Sequence, residues 1–165
     1  MWTARRILKE LAGTDRRRAI LASFWKHAEL QHKMVVQMQL ARSLHFREES
    51  IRKMPPEKKA DLLASRIGVP EFDQYLEMAL MTYHTTQKND LLAAFLDKWN
   101  VPHENGSIES DEYKVPTQDE VRAAVDELTQ FDPADVKIYL ATAGLLMADE
   151  WRGATWPVLD SLDQG

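Results

Sequence analysis

Glu29-Leu30-Gln31-His32 sets a carboxylate and an imidazole three residues apart, a spacing that puts both on one face of a helix where they can share a metal ion, as in bundle-core metal centres. At 100° per residue, Leu21, Phe24, Ala28 and Val35 share an apolar face, with His32 at its edge and Gln39 and Arg42 further along it. Polar groups on a covered face need hydrogen-bond partners, so this stripe marks either an internal polar site or a protein interface. Glu77 and His84, seven residues apart on another predicted helix, are the residues that could complete a donor set for a divalent transition metal with Glu29 and His32. The pattern is incomplete, because a di-iron bundle uses two Glu-x-x-His pairs and this chain has no second one.

A second group of reactive residues falls in the stretch Val101 to Pro116. His103, Glu104, Asp111 and Glu112 offer a general base and oxygen ligands close in sequence, but their order matches no calcium-binding loop. Gly-x-Ser-x-Gly, a phosphate-binding glycine loop and His-Glu-x-x-His are all missing, so no enzyme class is indicated. Ala64-x-x-x-Gly68 has the rhythm of a helix-turn-helix, yet the segment that would read DNA carries Glu71, Asp73 and Glu77, which repel phosphate. A nucleic-acid partner is not expected. Aromatic and methionine residues between 72 and 83, with Met34 and Met38, suit either a ligand pocket or, more simply, a core.

These residues must be positioned by a chain of 165 residues, 44% hydrophobic and 28% charged, with 6 Gly, 7 Pro and no Cys. That length fits one domain, residues 1–165. Without cysteine there are no disulfides, thiolate metal sites or cysteine nucleophiles. No apolar run is long enough to span a bilayer, and the first residues lack the apolar core of a secretion signal, so the expected location is the cytoplasm. The net charge of −5 conceals an asymmetry. Residues 1–60 hold 14 Lys and Arg against 6 Asp and Glu, and the remainder 7 against 20, which divides the domain into a basic part, 1–54, and an acidic part, 57–165. A basic arm attracts acidic partners through its field, or it packs against the acidic half of the same molecule.

Helical periodicity runs through almost the whole chain. Ala4, Ile7, Leu8 and Leu11 predict a short first helix. From Asp15 to Ser50 neither Pro nor Gly interrupts a run rich in helix formers. As one helix it would extend about 54 Å, against a radius of gyration of about 15 Å for a compact chain of this length, so it must break, protrude or find a partner. Helices follow over 57–67, 71–87 and 91–99. The second of these segments, 71–87, is predicted to be central to the core because it is apolar nearly all round. The stops Gly68-Val69-Pro70 and Asn100-Val101-Pro102 repeat one capping pattern at an offset of 32 residues. Asn105-Gly106 signals a tight turn that supports a tiny hairpin. Thr117-x-x-Glu120 is a capping box, and Asp132-Pro133 opens a last helix reaching Glu150, after which the tail docks through Trp156, Val158 and Leu159.

The expectation is therefore an all-α, compact bundle of about six or seven helices, with one long helix in the N-terminal half and one irregular acidic loop. The function expected is a non-enzymatic interaction or regulatory module that self-associates through the long helix, with Phe24, Trp25, His32, Val35, Met38, Gln39 and Arg42 at the interface. Its partner would be a second copy in a homodimer, or another protein, and no cofactor is expected. The alternative is a metal-binding bundle, possible as an enzyme, built on the Glu29/His32 face.

Overall fold

The computed structural model describes residues 1–164. Among them the chain is all-helical, with ten α-helices and no strand. The count exceeds six or seven because three breaks occur where no Gly or Pro announces them. The run Asp15 to Ser50 forms three helices: α2 (Gly13–His27), α3 (Leu30–Leu44) and α4 (Glu48–Arg52). They follow α1 (Ala4–Arg6), whose last turn widens into a π-turn over Ile7–Leu11, closed by the Ala12 N–H donating to the Ile7 carbonyl at 3.1 Å. Ala28 and Glu29 take extended backbone, with ψ of 159° and 145°. His45 sits in the left-handed region at φ 58°, and the Phe46 N–H reaches back to the Ala41 carbonyl at 2.9 Å. This is the helix-ending hydrogen bond usually placed after Gly or Asn. Bending at Ala28–Glu29 and at His45 removes the 54 Å rod.

The next elements follow the capping signals closely. After α5 (Pro56–Ala64), Gly68 at φ 110° turns the chain, and a 3-10 turn at Pro70–Phe72 leads into α6 (Asp73–Gln87). Helix α7 (Asn89–Lys98) ends in the same way, with Asn100 at φ 55°. Helix α8 (Gln118–Glu127) carries the complete capping box between Thr117 and Glu120. Asp132 caps α9 (Pro133–Leu146) by accepting from the Ala134 N–H at 2.8 Å. The predicted continuation of α9 to Glu150 fails at Met147 and Ala148, which are extended. The tail is itself a helix, α10 (Asp149–Asp163).

Packing explains why the breaks fall where they do. Six consecutive α2 residues, Ile20 to Trp25, are buried, as are seven consecutive α9 residues, Ile138 to Gly144. A helix buried on all sides is central, so α2 and α9 join α6, which packs against α1, α2, α7 and α9, at the centre of the core. Helix α6 keeps Met81 exposed and contributes Tyr75, Leu76, Ala79, Leu80 and Tyr83 to the core. Helix α2 lies against α5 and α6, α9 against α10, and α10 also against α8. Trp156, Val158 and Leu159 are buried as expected. A straight extension of α2 would carry its apolar side chains out into water, and the bend lets α3 lie back on the fold through Val36, Gln37, Leu40 and Ala41.

Pairs that join the two halves offset part of the charge asymmetry within one molecule. Arg5 pairs with Asp73 at 3.2 Å, Arg16 with Asp132 and Asp135 at 3.0 Å each, and Arg18 with Asp61 at 2.9 Å. No helix among the described residues is long and apolar enough to cross a membrane.

Candidate functional site

The break at Ala28–Glu29 decides the fate of the polar stripe. With the helix interrupted, the angular phase that aligned Val35 with Leu21 and Phe24 is lost. Phe24 and Trp25 are 0% and 4% exposed, so they belong to the core and not to an interface. Lys59 lies over the Trp25 ring at 5.2 Å, and its ammonium, held below the usual lysine range by burial and by Lys33, donates to Gln37 Oε1 at 2.9 Å. The Trp25 Nε1 is buried without a hydrogen-bond partner.

Beyond the break, α3 presents one face to solvent. Leu30 is 70% exposed, Met34 47%, Val35 45% and Met38 47%, and Gln31 and Arg42 are exposed on the same side. These six residues fall within about 140° of the helix circumference at 100° per residue. His32 and Gln39 are half-buried on its flank. The Gln39 Oε1 is sealed without a partner beside a cleft of about 400 Å³ formed with Arg42, Ser43, Val69, Glu71 and Phe72. The periodicity of Met34 and Met38 was legible in the sequence; their exposure, and that of Leu30, was not.

The proposed metal donors do not assemble. Among the described residues no three His, Asp or Glu side chains are grouped so as to hold a metal ion. Glu29 stands in extended backbone ahead of α3, exposed, its Oε2 accepting from the Gln31 amide at 3.0 Å. It caps the first turn of α3, its carbonyl accepting from the Lys33 N–H at 3.1 Å, with its side chain in solvent. Glu77 is half-buried on α6, and desolvation, with Asp73 one turn away, holds its carboxyl above the usual range. His84 is buried, with its Nδ1 2.8 Å from the Leu80 carbonyl. That contact makes Nδ1 the protonated nitrogen and Nε2 the acceptor.

The loop candidates divide. Asn105 and Gly106, at φ 51° and 88°, form a hairpin turn closed by the Glu104–Ser107 bridge, as the Asn-Gly pair foretells. His103 fastens this turn, its Nδ1 accepting from the Gly106 N–H at 2.9 Å and its Nε2 lying 2.7 Å from Asp97 Oδ1. With both ring nitrogens engaged, His103 holds the loop to α7. Glu104 supplies backbone to the bridge, and both Glu104 and Glu112 project into solvent. Asp111 alone of the four lines a cavity, of about 450 Å³, between the loop and α6, α7, α9 and α10.

The chain matches no family model, no curated protein and no solved structure.

The cavity is walled by aromatic and aliphatic side chains. Tyr139 stacks near-parallel on Trp99, with ring centroids 6.3 Å apart, and meets the His84 ring at 5.9 Å. The Trp151 Nε1 donates to the Tyr113 hydroxyl at 3.1 Å, which anchors the loop across the opening. His84 lines the cavity in this apolar setting, and burial lowers its pKa to about 4, so the imidazole is neutral at pH 7. Burial likewise raises the Tyr139 phenol above its ordinary range. Sequence reading singled out His84 as a metal ligand and Asp111 as a loop acid. It missed Tyr139, Thr142 and Trp151, which read as ordinary helix-core residues because only the tertiary arrangement brings α9 and α10 opposite α6.

Proposed function

We propose that this protein is a helical interaction module that self-associates through the exposed face of α3. The observation that carries the reading is the row Leu30, Met34, Val35 and Met38, four large apolar side chains each 45% exposed or more on one helix face. Scattered surface hydrophobics need no explanation, but a contiguous row is the mark of a contact surface, and methionine is suited to adaptable interfaces. A second copy fits this face by symmetry. In an antiparallel two-fold pairing, Met34 of one copy faces Met38 of the other, and the start of one α3, with Glu29, lies beside the last turn of the other, with Arg42. Such a pairing covers the apolar row and sets opposite charges together at both of its ends.

Sedimentation of the untagged chain tests it. A concentration-dependent shift from monomer to dimer, abolished in the double variant Met34→Glu/Met38→Glu, is the expected result. A monomer at all concentrations up to the millimolar range overturns the reading.

A further inference from the structure

The cavity beneath the loop shares no residue with the α3 face and makes a separate case. We infer that it is a binding site for a small uncharged aromatic compound bearing a hydroxyl group. Its volume of about 450 Å³ lies within the range of small-molecule pockets, about 300 to 1,000 Å³, and such pockets combine apolar walls with a few placed polar groups.

The polar groups here are specific. His84 spends its Nδ1 proton on the Leu80 carbonyl at 2.8 Å, which leaves Nε2 with an unshared lone pair. No other side-chain hydrogen bond of His84 occurs among the described residues. Tyr139, 7% exposed, has a hydroxyl with no hydrogen-bond partner among the described residues either. Both side chains line the cavity, so one acceptor and one donor without a protein partner border an apolar-walled space, and a ligand that displaces water from it gains by replacing both hydrogen bonds. A ligand hydroxyl satisfies both, donating to His84 Nε2 and accepting from the Tyr139 phenol. Other hydroxyls of the lining are already engaged: Thr142 donates to the Ile138 carbonyl at 2.7 Å, Thr85 to the Met81 carbonyl at 3.0 Å, and the Tyr113 hydroxyl accepts from Trp151, while Ser107 and Asp111 stand on the loop side.

The walls select the rest of the molecule. Tyr113, Tyr139 and Trp151 offer ring faces and edges, and Leu92, Leu96 and Ile108 offer aliphatic contact, which suits a planar ring system. No Lys or Arg lines the cavity, and its one carboxylate, Asp111, is exposed. An anionic ligand would find no counter-charge there. The burial that keeps His84 neutral disfavours a cation at depth as well.

The test uses three probes of similar shape, 2-naphthol, naphthalene and 2-naphthoate, titrated into the full chain at pH 7 and followed by Trp fluorescence and by the His84 imidazole NMR signals. Saturable 2-naphthol binding is expected, with naphthalene weaker by about five- to tenfold for the lost hydrogen bonds, and with 2-naphthoate not bound. His84 Nε2 should shift with 2-naphthol and not with naphthalene. Tyr139→Phe removes the hydroxyl while keeping the ring, and it should lower 2-naphthol affinity several-fold and leave naphthalene unchanged. Because a core change can disturb folding, Ile108→Trp on the partly exposed loop is the second variant, and it should block both neutral probes. Absence of saturation with 2-naphthol up to millimolar concentration overturns the inference, as does equal affinity for 2-naphthol and naphthalene. Binding that survives Ile108→Trp unchanged places the probe elsewhere and overturns it too.

Discussion

Trp156 lies across the bare backbone of Gly144, its Nε1 donating to the Ala141 carbonyl at 3.1 Å. Arg152 lies over the same ring at 4.9 Å and donates to the Gly144 carbonyl at 3.2 Å, which ties the three residues together. A Cβ at position 144 would overlap the ring and also meet Thr155 Oγ1 at 2.8 Å. Gly144→Ala is expected to destabilise the protein by about 2 to 3 kcal/mol, the upper range for overpacking a tight contact. Gly153→Ala, where an added Cβ meets nothing within 4 Å, should instead stabilise by up to about 1 kcal/mol through helix propensity and reduced chain entropy. Urea unfolding of the two variants beside the parent checks both signs.

His84 makes stability depend on pH in a defined window. Its pKa is lowered from 6.5 to about 4 by burial. The hydrogen bond to the Leu80 carbonyl and then the charge of Asp135 oppose that shift, Lys88 adds to it, and the neighbouring Tyr83 and Tyr139 are neutral throughout this range. Because the unfolded chain takes up the proton first, the contribution is complete above pH 6.5 and is lost as pH falls towards 4. Its size is on the order of 3 kcal/mol. The stability difference between the parent and His84→Gln, which cannot charge, should shrink by that amount across the window. An imidazole NMR titration centred near 6.5 would contradict it.

Asp135 joins two cations from different elements. It accepts from Arg16 Nε at 3.0 Å and from Lys88 Nζ at 3.2 Å, and its side chain is 13% exposed. Asp135→Asn leaves Lys88 without a carboxylate and Arg16 with Asp132 alone in a partly buried site, and should cost about 1 to 3 kcal/mol. Asp61→Asn breaks the pair with Arg18, in which both side chains are more than half exposed, and should cost about 0 to 1 kcal/mol. Thermal melts at low and high salt separate them, because only the exposed pair is strongly screened.

On α3 and its neighbour the contrast is between contact and core. Met34→Glu/Met38→Glu should leave the stability of the monomer within about 0.5 kcal/mol per site, as surface changes do, while Trp25→Ala should cost about 3 to 5 kcal/mol. Equilibrium unfolding below the association concentration measures both. A large loss from the methionine pair would assign those residues to the fold instead of to a partner.

The local devices were all written in the sequence, because each depends on residues only a few positions apart. The Thr117/Glu120 capping box, the Asp132-Pro133 helix start, the Asn105-Gly106 turn and the paired stops at Gly68 and Asn100 formed where their side chains and backbone freedom require. The all-helical class follows from the same information. Tertiary packing alone decided the bends at Ala28–Glu29, His45 and Met147–Ala148, where no residue favours a break and the gain lies in laying an apolar face back on the core. Those bends set Phe24 and Trp25 inward, turned Val35 and Met38 outward and left Glu29 as the exposed cap of α3. The cavity, too, belongs to the tertiary level. His84, Asp111, Tyr139 and Trp151 come from three helices and a loop, and only long-range burial makes their joint enclosure favourable, which periodicity within one helix has no means to encode.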